Sequence, residues 1–381
     1  MMSTQNIILP GQCIGILGGG QLGRMLAMVA KQMGYKVAIL EPVADCPAAP
    51  FADYHIKADY ADNNALQQLA KLSQVITTEF ENVPAASILA LKVYGARVFP
   101  DDKAIQIAQN REREKTFFRS IGLKTADFAL IHSVAECELV PINLLPGILK
   151  TTTLGYDGKG QIRVTSLDEL RAAYLQLGGE CILEQLVTLK AECSIIVARN
   201  RTGVKCYPVI ENQHRKGILD ISYIPAQING LLANEAQLAA TKLIEALEYI
   251  GILTIEFFIT EDGQLLVNEI APRPHNSGHI TIESCVTSQF EQQLRAVCGL
   301  QLGDVALKQE GAMLNLLGDV WLDNPEAFNS LVNDYVGKFH WYDKIEAKPG
   351  RKMGHISITM SDRKQLENKI ASLKATLKIS N

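Results

Sequence analysis

The sequence predicts an α/β fold, α+β when the whole chain is considered, with a parallel-sheet region first and a small β-rich region last. The N-terminal region alternates between short apolar runs and stretches of helical periodicity, which is typical of parallel strands joined by helical crossovers. The middle region instead combines a glycine-rich loop with pairs of apolar strands. The tail, residues 301–381, carries apolar strands and one amphipathic helix. These changes of pattern divide the chain into three parts.

The first part is predicted to hold four strands with helices between them. The apolar runs indicate strands at 13–17, 36–40, 74–78 and 96–99. Helical periodicity predicts helices at 21–33, 65–72 and 103–121, the last begun by Pro-Asp-Asp at 100–102. Because strands and helices alternate, we expect the strands to lie parallel.

The second part starts from a strand end at 148–150 and contains the main glycine-rich loop. The predicted order is loop 151–161, helix 166–177, strands 181–185 and 191–199, helix 235–250, strands 253–259 and 265–270, and helix 284–298. Residues 261–263, Glu-Asp-Gly, form a turn that makes a hairpin of the last two strands. In the tail, strands are predicted at 312–318 and 354–360.

Composition limits the partners and the compartment. The 381 residues carry 37 basic and 41 acidic side chains, a net charge of −4, which gives no general attraction to nucleic acid or an anionic membrane. The eight cysteines form no CxxC pair and are interpreted as reduced thiols used as small hydrophobic groups. No signal peptide or membrane span is apparent. We therefore expect a cytoplasmic protein with no nucleic-acid or membrane partner.

A glycine-rich turn joins the first predicted strand to the first helix. It contains the pattern GxGxxG at Gly18, Gly20 and Gly23, and the acidic Glu41 closes the second strand. Backbone amides and a helix N-terminus in such a turn favour a phosphate or another anion. One interpretation is a dinucleotide site, which would make the protein an NAD-dependent oxidoreductase. The other is a tight turn whose glycines let the helix pack closely on the sheet.

The second glycine-rich loop follows a lysine at a strand end. Lys150 precedes residues 151–161, TTTLGYDGKGQ, which hold three glycines and a second lysine, Lys159. Backbone amides of such a loop would surround phosphate oxygens, and the ammonium groups would neutralise their charge. We therefore interpret the loop as a cover over a triphosphate. The alternative is an exposed hairpin with solvated lysines.

Two carboxylates occupy neighbouring apolar strands of the predicted hairpin. Glu256 lies in TIEFF, and Glu269 follows Asn268 in VNEI. A carboxylate in a buried strand is costly unless it is paired or binds a cation, and two of them would repel each other. A magnesium ion with nucleotide phosphates would resolve the repulsion. The alternative is that one or both side chains point outward to solvent.

Two more polar clusters lie C-terminal to these strands. Residues 271–279, APRPHNSGH, put Arg, His, Asn and Ser at a strand end, which suits a small oxyanion. In the tail, Lys344 and residues 348–355 place four cations near two glycines, which indicates a site for a phosphate monoester. The alternative for this second cluster is a basic surface turn.

Six motifs in order give the chain a family resemblance. They are GILGGGQLGRML, TTEFENVP, KTTTLGYDGKGQ, ENQHRKGIL, NEIAPRPHNSGH and PGRKMGH. The lysine and glycine-rich loop, followed by Glu and then Asn-Glu on paired strands, resembles the ATP-grasp family. Together the six motifs resemble the N5-carboxyaminoimidazole ribonucleotide synthases within it, from residue 12 to the end of the chain.

The resemblance implies an ATP-grasp fold and a ligase reaction. It implies a Rossmann-like domain at 1–110, an ATP-grasp domain at 111–300 with a mobile lobe at about 125–190, and a small C-terminal domain at 301–381. The implied enzyme is a homodimer that uses ATP and bicarbonate to carboxylate 5-aminoimidazole ribonucleotide to N5-carboxyaminoimidazole ribonucleotide in purine biosynthesis. ADP and phosphate are released, and carboxyphosphate is the intermediate. The implied cofactor is Mg²⁺, with Mn²⁺ as an alternative.

The resemblance also implies site residues. ATP would be bound by Arg111, Lys150, Gly155, Tyr156, Asp157, Gly158, Lys159, Gly160, Gln161, Glu184, Gln185, Leu186, Val187, Glu192, His214, Asn268 and Glu269. Glu256 and Glu269 would bind the metal, and the catalytic set would be Arg273, His275, Tyr156 and Asp157. The ribonucleotide would contact Gly20, Gln21, Leu22, Glu79, Asn276, Ser277, Lys344, Arg351 and Lys352.

Three alternatives remain at this level. The first is the oxidoreductase, which has no use for the paired carboxylates or the second glycine-rich loop. The second is another ATP-grasp ligase, such as a formate-dependent ribonucleotide transformylase or a biotin carboxylase-like enzyme. The third is an inactive binding module, which the full set of ATP-site residues disfavours. ADP release, measured with different carboxyl donors and acceptors, distinguishes them.

Overall fold

The computed structural model describes residues 7–379 except 154, 156–159, 325, 327–328, 330–331 and 333–336. Its first unit is the expected parallel sheet, but with five strands where four were predicted, in the order β3-β2-β1-β4-β5. The strands are β1 Cys13–Leu17, β2 Lys36–Leu40, β3 Tyr54–Ile56, β4 Val75–Thr78 and β5 Val98–Phe99. The helices are α1 Gln21–Gln32, α2 Asn63–Leu72, α3 Ala85–Val93 and α4 Asp102–Ala108.

The helix predicted at 103–121 is in fact two helices. After α4 the chain turns at Asn110, and α5 Arg111–Ser120 begins. Asn110 has an extended backbone (φ −136°), and its side chain accepts a hydrogen bond from the amide of Arg113. An Asn that caps in this way ends one helix and starts the next, an effect that hydrophobic periodicity does not register. The break puts Arg111 at a helix start, where its amide donates to the carbonyl of Thr152 at 2.8 Å.

A four-stranded antiparallel sheet, here called the small sheet, follows α5. It contains β6 Phe128–Ile131, β7 Gly147–Thr151, β8 Gln161–Val164 and β9 Cys181–Gln185, with α6 Leu167–Leu177 packed against it. The strand order is β6-β9-β7-β8. Ile148 pairs with Glu184 across β7 and β9, so the side chain of Lys150, two residues further along, lies on the same face as that of Glu184.

The largest sheet, here called the long sheet, joins the middle of the chain to the tail. It contains β10 Leu189–Asn200, β11 Gly203–Cys206, β12 Ile210–Arg215, β13 Ile218–Ile224, β14 Gly251–Thr260, β15 Leu265–Ala271, β16 Glu310–Leu317, β17 Lys338–Trp341 and β18 Lys352–Met360. The order is β15-β14-β10-β12-β13-β16-β18-β17, with β11 on β10. Because β16 pairs with β13, the described strands of the tail continue this sheet and do not form one of their own.

The remaining helices correct two predictions. Those whose bounds fall within the described residues are α7 Gly230–Ala246, α8 Thr281–Ser284, α9 Gln289–Val297, α10 Gly318–Asp323 and α11 Arg363–Thr376. The helix predicted at 235–250 therefore begins earlier, where Asn229 caps it. The helix predicted at 284–298 begins at Gln289, because Ser288 caps it by accepting from the amide of Glu291. Within the described part of the chain, every helix is too short or too polar to cross a membrane.

Candidate active site

A cavity of about 570 Å³ is lined by residues from both the small sheet and the long sheet, and by the start of α5. It brings together predicted site residues that lie up to 241 positions apart, from Arg111 to Lys352. The predicted residues that line it are Arg111, Lys150, Gly155, Gln161, Glu192, His214, Glu256, Asn268, Glu269, Arg273, His275, Asn276 and Lys352. Members of the predicted ATP, metal, catalytic and substrate sets thus share one cavity.

The alternation of side chains along β14 and a β-bulge in β15 place the carboxylates of Glu256 and Glu269 in the cavity. On β14, Ile255, Phe257 and Ile259 pack in the hydrophobic core, whereas Glu256 lines the cavity. Glu256 pairs directly with Glu269, but the next pair in register is Phe257 with Val267. Asn268 is therefore an extra residue in a β-bulge. The bulge allows two consecutive residues of β15, Asn268 and Glu269, to line the same cavity.

The electrostatics of the carboxylate pair suit a bound cation. Burial, and then the repulsion of Glu269, raise the pKa of the Glu256 carboxyl to about 7. Arg111 partly offsets the charge, because its Nη1 lies 3.3 Å from Oε2 of Glu269. Its Nη2 donates to the carbonyl of Gly155 at 3.0 Å, which ties α5 to the glycine-rich loop. Two opposed carboxylates beside an amide oxygen fit a hard divalent cation.

Arg273 and His275 lie just beyond β15 and are both held in place. Arg273 forms an ion pair with Glu81, which also lines the cavity. Burial, and then the nearby Arg273, lower the pKa of His275 well below its ordinary value, so the imidazole is neutral. Nδ1 of His275 lies 2.9 Å from the Ser277 hydroxyl, and Nε2 lies 3.2 Å from Oε1 of Glu256. A fixed guanidinium beside a neutral, oriented imidazole suits a small oxyanion.

Lys150, which lines the cavity, forms a buried ion pair with Glu184. Nζ of Lys150 lies 3.2 Å from Oε1 of Glu184, and Nζ of Lys115 lies 3.3 Å from Oε2. On the long sheet, Glu192 and His214 form a second pair that lines the cavity. Burial lowers the pKa of His214, but the hydrogen bond and the charge of Glu192 raise it above its ordinary value, which favours the charged imidazole.

The glycine turn before α1 binds the protein's own carboxylates. The amide of Gly19 donates to Glu41 at 2.9 Å, and the amides of Gly20 and Gly23 each donate to Glu79 at 3.0 Å. A Cβ on Gly20 would lie 2.6 Å from Oε1 of Glu79, so glycine is required there for close approach. With these three amides occupied, the structure contradicts a dinucleotide phosphate at this turn. The packing interpretation is the correct one.

Of the predicted substrate residues, Asn276 and Lys352 line the cavity, and the others lie outside its lining. Nζ of Lys344 donates to Oε1 of Gln21 at 2.8 Å, so the tail meets the start of α1, next to Leu22. Arg351 is exposed, and its Nη1 donates to the carbonyl of Glu346. Ser277 is buried, where its hydroxyl lies 2.8 Å from that of Ser194.

The remaining residues of the predicted ATP set do not line this cavity, or lie outside the described residues. Gln185, Leu186 and Val187 line a neighbouring cleft of about 660 Å³. The carbonyl of Gly160 accepts from the amide of Thr151, which closes the base of the glycine-rich loop. Tyr156, Asp157, Gly158 and Lys159 lie outside the described residues.

Sequence reasoning missed three charged residues at this site: the half-buried Glu81 and the buried Glu114 and Lys115. Glu81 stands in the quoted motif TTEFENVP, so its position beside Glu79 was a usable signal. Glu114 is buried, and burial followed by repulsion from Glu269 raises its pKa to about 8. Its Oε1 accepts from the amide of Ile270 at 2.8 Å, which fixes α5 against β15. For Glu114 and Lys115 no signal is visible in the sequence, because both follow Arg111 in a strongly charged helix.

Comparison with known proteins agrees with this geometry. The preATP-grasp domain of ribonucleotide synthetases matches residues 12–109, the ATP-grasp domain matches 116–290, and the phosphoribosylaminoimidazole carboxylase C-terminal domain matches 311–369. The predicted ATP-grasp fold with an N-terminal parallel sheet is therefore confirmed.

Several similar proteins are named N5-carboxyaminoimidazole ribonucleotide synthase or synthetase. The N5-carboxyaminoimidazole ribonucleotide synthase of Bacillus subtilis is 45% identical over 360 residues, 93% of each chain. A solved N5-carboxyaminoimidazole ribonucleotide synthetase in complex with ADP is 42% identical with a TM-score of 0.91, over 97% of this chain and 98% of that one. The Aspergillus clavatus synthase in complex with ADP and 5-aminoimidazole ribonucleotide is 31% identical with a TM-score of 0.89, over 97% and 100%. The chain therefore belongs to the N5-carboxyaminoimidazole ribonucleotide synthase family of ATP-grasp proteins.

Proposed function

We propose that this enzyme carboxylates 5-aminoimidazole ribonucleotide to N5-carboxyaminoimidazole ribonucleotide, using ATP and bicarbonate and releasing ADP and phosphate. The proposal rests on one observation. Residues suited to a metal-bound triphosphate and residues suited to a small oxyanion line the same cavity. Lys150, Arg111 and the Glu256–Glu269 pair suit a metal-bound triphosphate, while Arg273 and His275 suit a small oxyanion next to it. A phosphoryl group can therefore pass between the two without leaving the cavity.

Each group has a part in this chemistry. Bicarbonate is a poor electrophile, and phosphorylation to carboxyphosphate activates its carbon. Arg273 would hold the oxyanion, and the Glu81 ion pair would keep the guanidinium in position. Neutral His275 can accept a proton from the ribonucleotide amine or donate one to an anion through Nε2. A cavity closed by the glycine-rich loop would keep water from the intermediate.

A divalent cation fits the residues present. Glu256 and Glu269 face each other, burial and then their repulsion raise the pKa of Glu256, and Asn268 adds a neutral oxygen. These residues would hold Mg²⁺, which when bound offsets the charge of the phosphoryl group in transfer. Manganese, which also prefers oxygen ligands, is the alternative.

The test is ADP release by the purified enzyme with the substrates supplied in turn. We expect ADP formation to require both 5-aminoimidazole ribonucleotide and bicarbonate. Full activity with formate, or with biotin in place of the ribonucleotide, would instead indicate one of the other ATP-grasp ligases. Absence of ADP release, together with oxidation of NADH, would contradict the proposal.

Replacing Lys150 by Met is expected to weaken ATP binding. The strand-end ammonium is placed to reach phosphate oxygens, and losing one such contact costs roughly 1.5–3 kcal/mol. Calorimetric titration with a non-hydrolysable ATP analogue measures the loss. The exposed Lys205 on β11 provides a control, since Lys205→Met should leave the affinity unchanged. Unchanged affinity in the Lys150 variant would return this lysine to a purely structural role.

Replacing Arg351 by Ala is expected to raise KM for the ribonucleotide by about tenfold and leave KM for ATP unaltered, because its planar fork can bind two oxygens of the 5′-phosphate. Arg351→Lys keeps the charge without the fork and should recover part of the affinity. Lys348→Ala in the same turn is the control, because Lys348 pairs with Glu346 on the surface. Steady-state kinetics with the ribonucleotide and ATP varied separately measures the two KM values. Lower thermal stability without a kinetic effect would mean that Arg351 only supports the turn.

Two further properties belong to the proposal. The family resemblance implies a homodimer, and light scattering during gel filtration tests it. We also propose a cytoplasmic location, because the eight cysteines are unpaired and seven are buried as small hydrophobic groups, a usage that suits a reducing compartment.

A further inference from the structure

Glu184 is held between two lysines, one on each carboxylate oxygen. Lys150 lies 3.2 Å from Oε1 and Lys115 lies 3.3 Å from Oε2. The groups come from three elements: Glu184 from β9, Lys150 from β7 and Lys115 from α5. The side chains of Glu184 and Lys115 are 4% and 1% exposed, whereas Lys150 is 12% exposed and lines the cavity. One buried carboxylate is therefore paired with two ammonium groups. Of the two lysines, Lys150 faces the nucleotide site.

One ammonium group is enough to neutralise Glu184, so the second is not needed for that purpose. A buried carboxylate needs a cation beside it, and one lysine would be sufficient. Burial by itself raises the pKa of Glu184, but Lys115, then Lys150 and then Arg111 lower it to about 2. Arg111 is already engaged with Glu269 and with the carbonyl of Gly155. Lys115 and Lys150 are therefore the two ammonium groups in direct contact with Glu184.

Lys115 is the lysine that is fixed in place. It lies on α5, whose preceding residue Glu114 accepts from the amide of Ile270 on β15. The amide of Arg111, one turn earlier, is bonded to Thr152. Lys150 instead stands near the end of β7, where the chain leads into the glycine-rich loop. Of the two lysines, Lys150 is the one positioned to change partner.

We propose that Lys115 is a positioning residue for nucleotide binding, which keeps Glu184 neutralised when Lys150 turns to the phosphates. This inference rests on the proposed function, because it takes Lys150 as a phosphate ligand. Without Lys115, the departure of Lys150 would leave Glu184 as a buried anion with no ammonium beside it. Lys150 would then stay on Glu184, or Glu184 would have to take up a proton, and each outcome weakens ATP binding.

The test variant is Lys115→Met, which removes the charge and retains an apolar chain of similar length. In the unliganded variant Lys150 still neutralises Glu184, so we expect the melting temperature to change by no more than about 2 °C. We expect KM for ATP to rise by about tenfold or more, since a buried charge loses its partner on binding. KM for the ribonucleotide should stay the same. Lys115→Arg keeps a cation and should restore much of the ATP affinity.

Proton uptake gives a readout that a structural role would not affect. In the Lys115→Met variant, nucleotide binding draws Lys150 away, and burial then raises the pKa of Glu184. The complex therefore binds more protons than the free variant, so ATP affinity should fall as pH rises. Calorimetry in buffers of different ionisation enthalpy should show uptake of up to one proton in the variant and none at Glu184 in the native enzyme. Adding Glu184→Gln to Lys115→Met should abolish this uptake.

Control variants separate the possible outcomes. Lys374→Met breaks another buried pair, with Asp220 at 2.9 Å, and should lower stability without changing KM for ATP. If Lys150→Met leaves ATP affinity unchanged, the proposed phosphate role of Lys150 fails. If Lys150→Met weakens binding but Lys115→Met does not, only the present inference is overturned. A Lys115→Met variant that melts early and loses both substrates equally, without proton uptake, would show a structural role and also overturn it.

Discussion

Replacing Glu269 by Gln is expected to lower kcat by at least about 1,000-fold, roughly 4 kcal/mol of activation free energy, while the fold persists. The amide has the shape of the carboxylate but not the charge that balances a divalent cation. Glu269 stands directly opposite Glu256, so the remaining carboxylate would hold the cation alone. ADP release at saturating ATP and magnesium measures the effect.

The matched control for this variant is Glu261→Gln. Glu261 lies in the turn of the same hairpin and is exposed, so its replacement should leave kcat unchanged. The melting temperature of Glu269→Gln should not fall, because the change relieves repulsion between Glu256 and Glu269. Normal ADP formation by Glu269→Gln at saturating magnesium would count decisively against the metal role.

Replacing Arg273 by Met is expected to lower kcat by about 100- to 1,000-fold, because a fixed cation beside the developing oxyanion is lost. KM for ATP should change much less, since Arg273 lies beyond the carboxylate pair that serves the triphosphate. Varying bicarbonate and ATP separately resolves the two effects.

A double variant distinguishes catalysis from stability at this position. Removing Arg273 leaves the Glu81 carboxylate without its partner, and the unpaired charge could damage the cavity by itself. Adding Glu81→Gln removes that charge, so Arg273→Met with Glu81→Gln should recover thermal stability. If the double variant also recovers turnover, Arg273 acts only as the counter-ion of Glu81 and the oxyanion role is wrong.

Local rules predicted most of the regular structure. Four of the five strands of the first sheet and the hairpin at β14 and β15 follow from apolar runs, because a buried strand needs apolar side chains over a short length. The short strand β3 was not predicted, because its residues, Tyr-His-Ile, do not form an apolar run. Errors occurred where a single polar side chain ends or starts a helix. Asn110 divides α4 from α5, and Ser288 delays α9. Capping is a hydrogen bond between one side chain and one amide, so it leaves little trace in periodicity.

The sequence by itself determined the family, the order of the parts and the residue types of the site, because its motifs are local strings. The tertiary structure decided which charges meet. It showed that Glu79 and Glu41 fill the glycine turn, that Glu81 holds Arg273, and that Lys115 shares Glu184 with Lys150. These partners lie from 22 to 192 positions apart. Ion pairing depends on distance and burial in the folded chain, and neither quantity is encoded in spacing along the sequence.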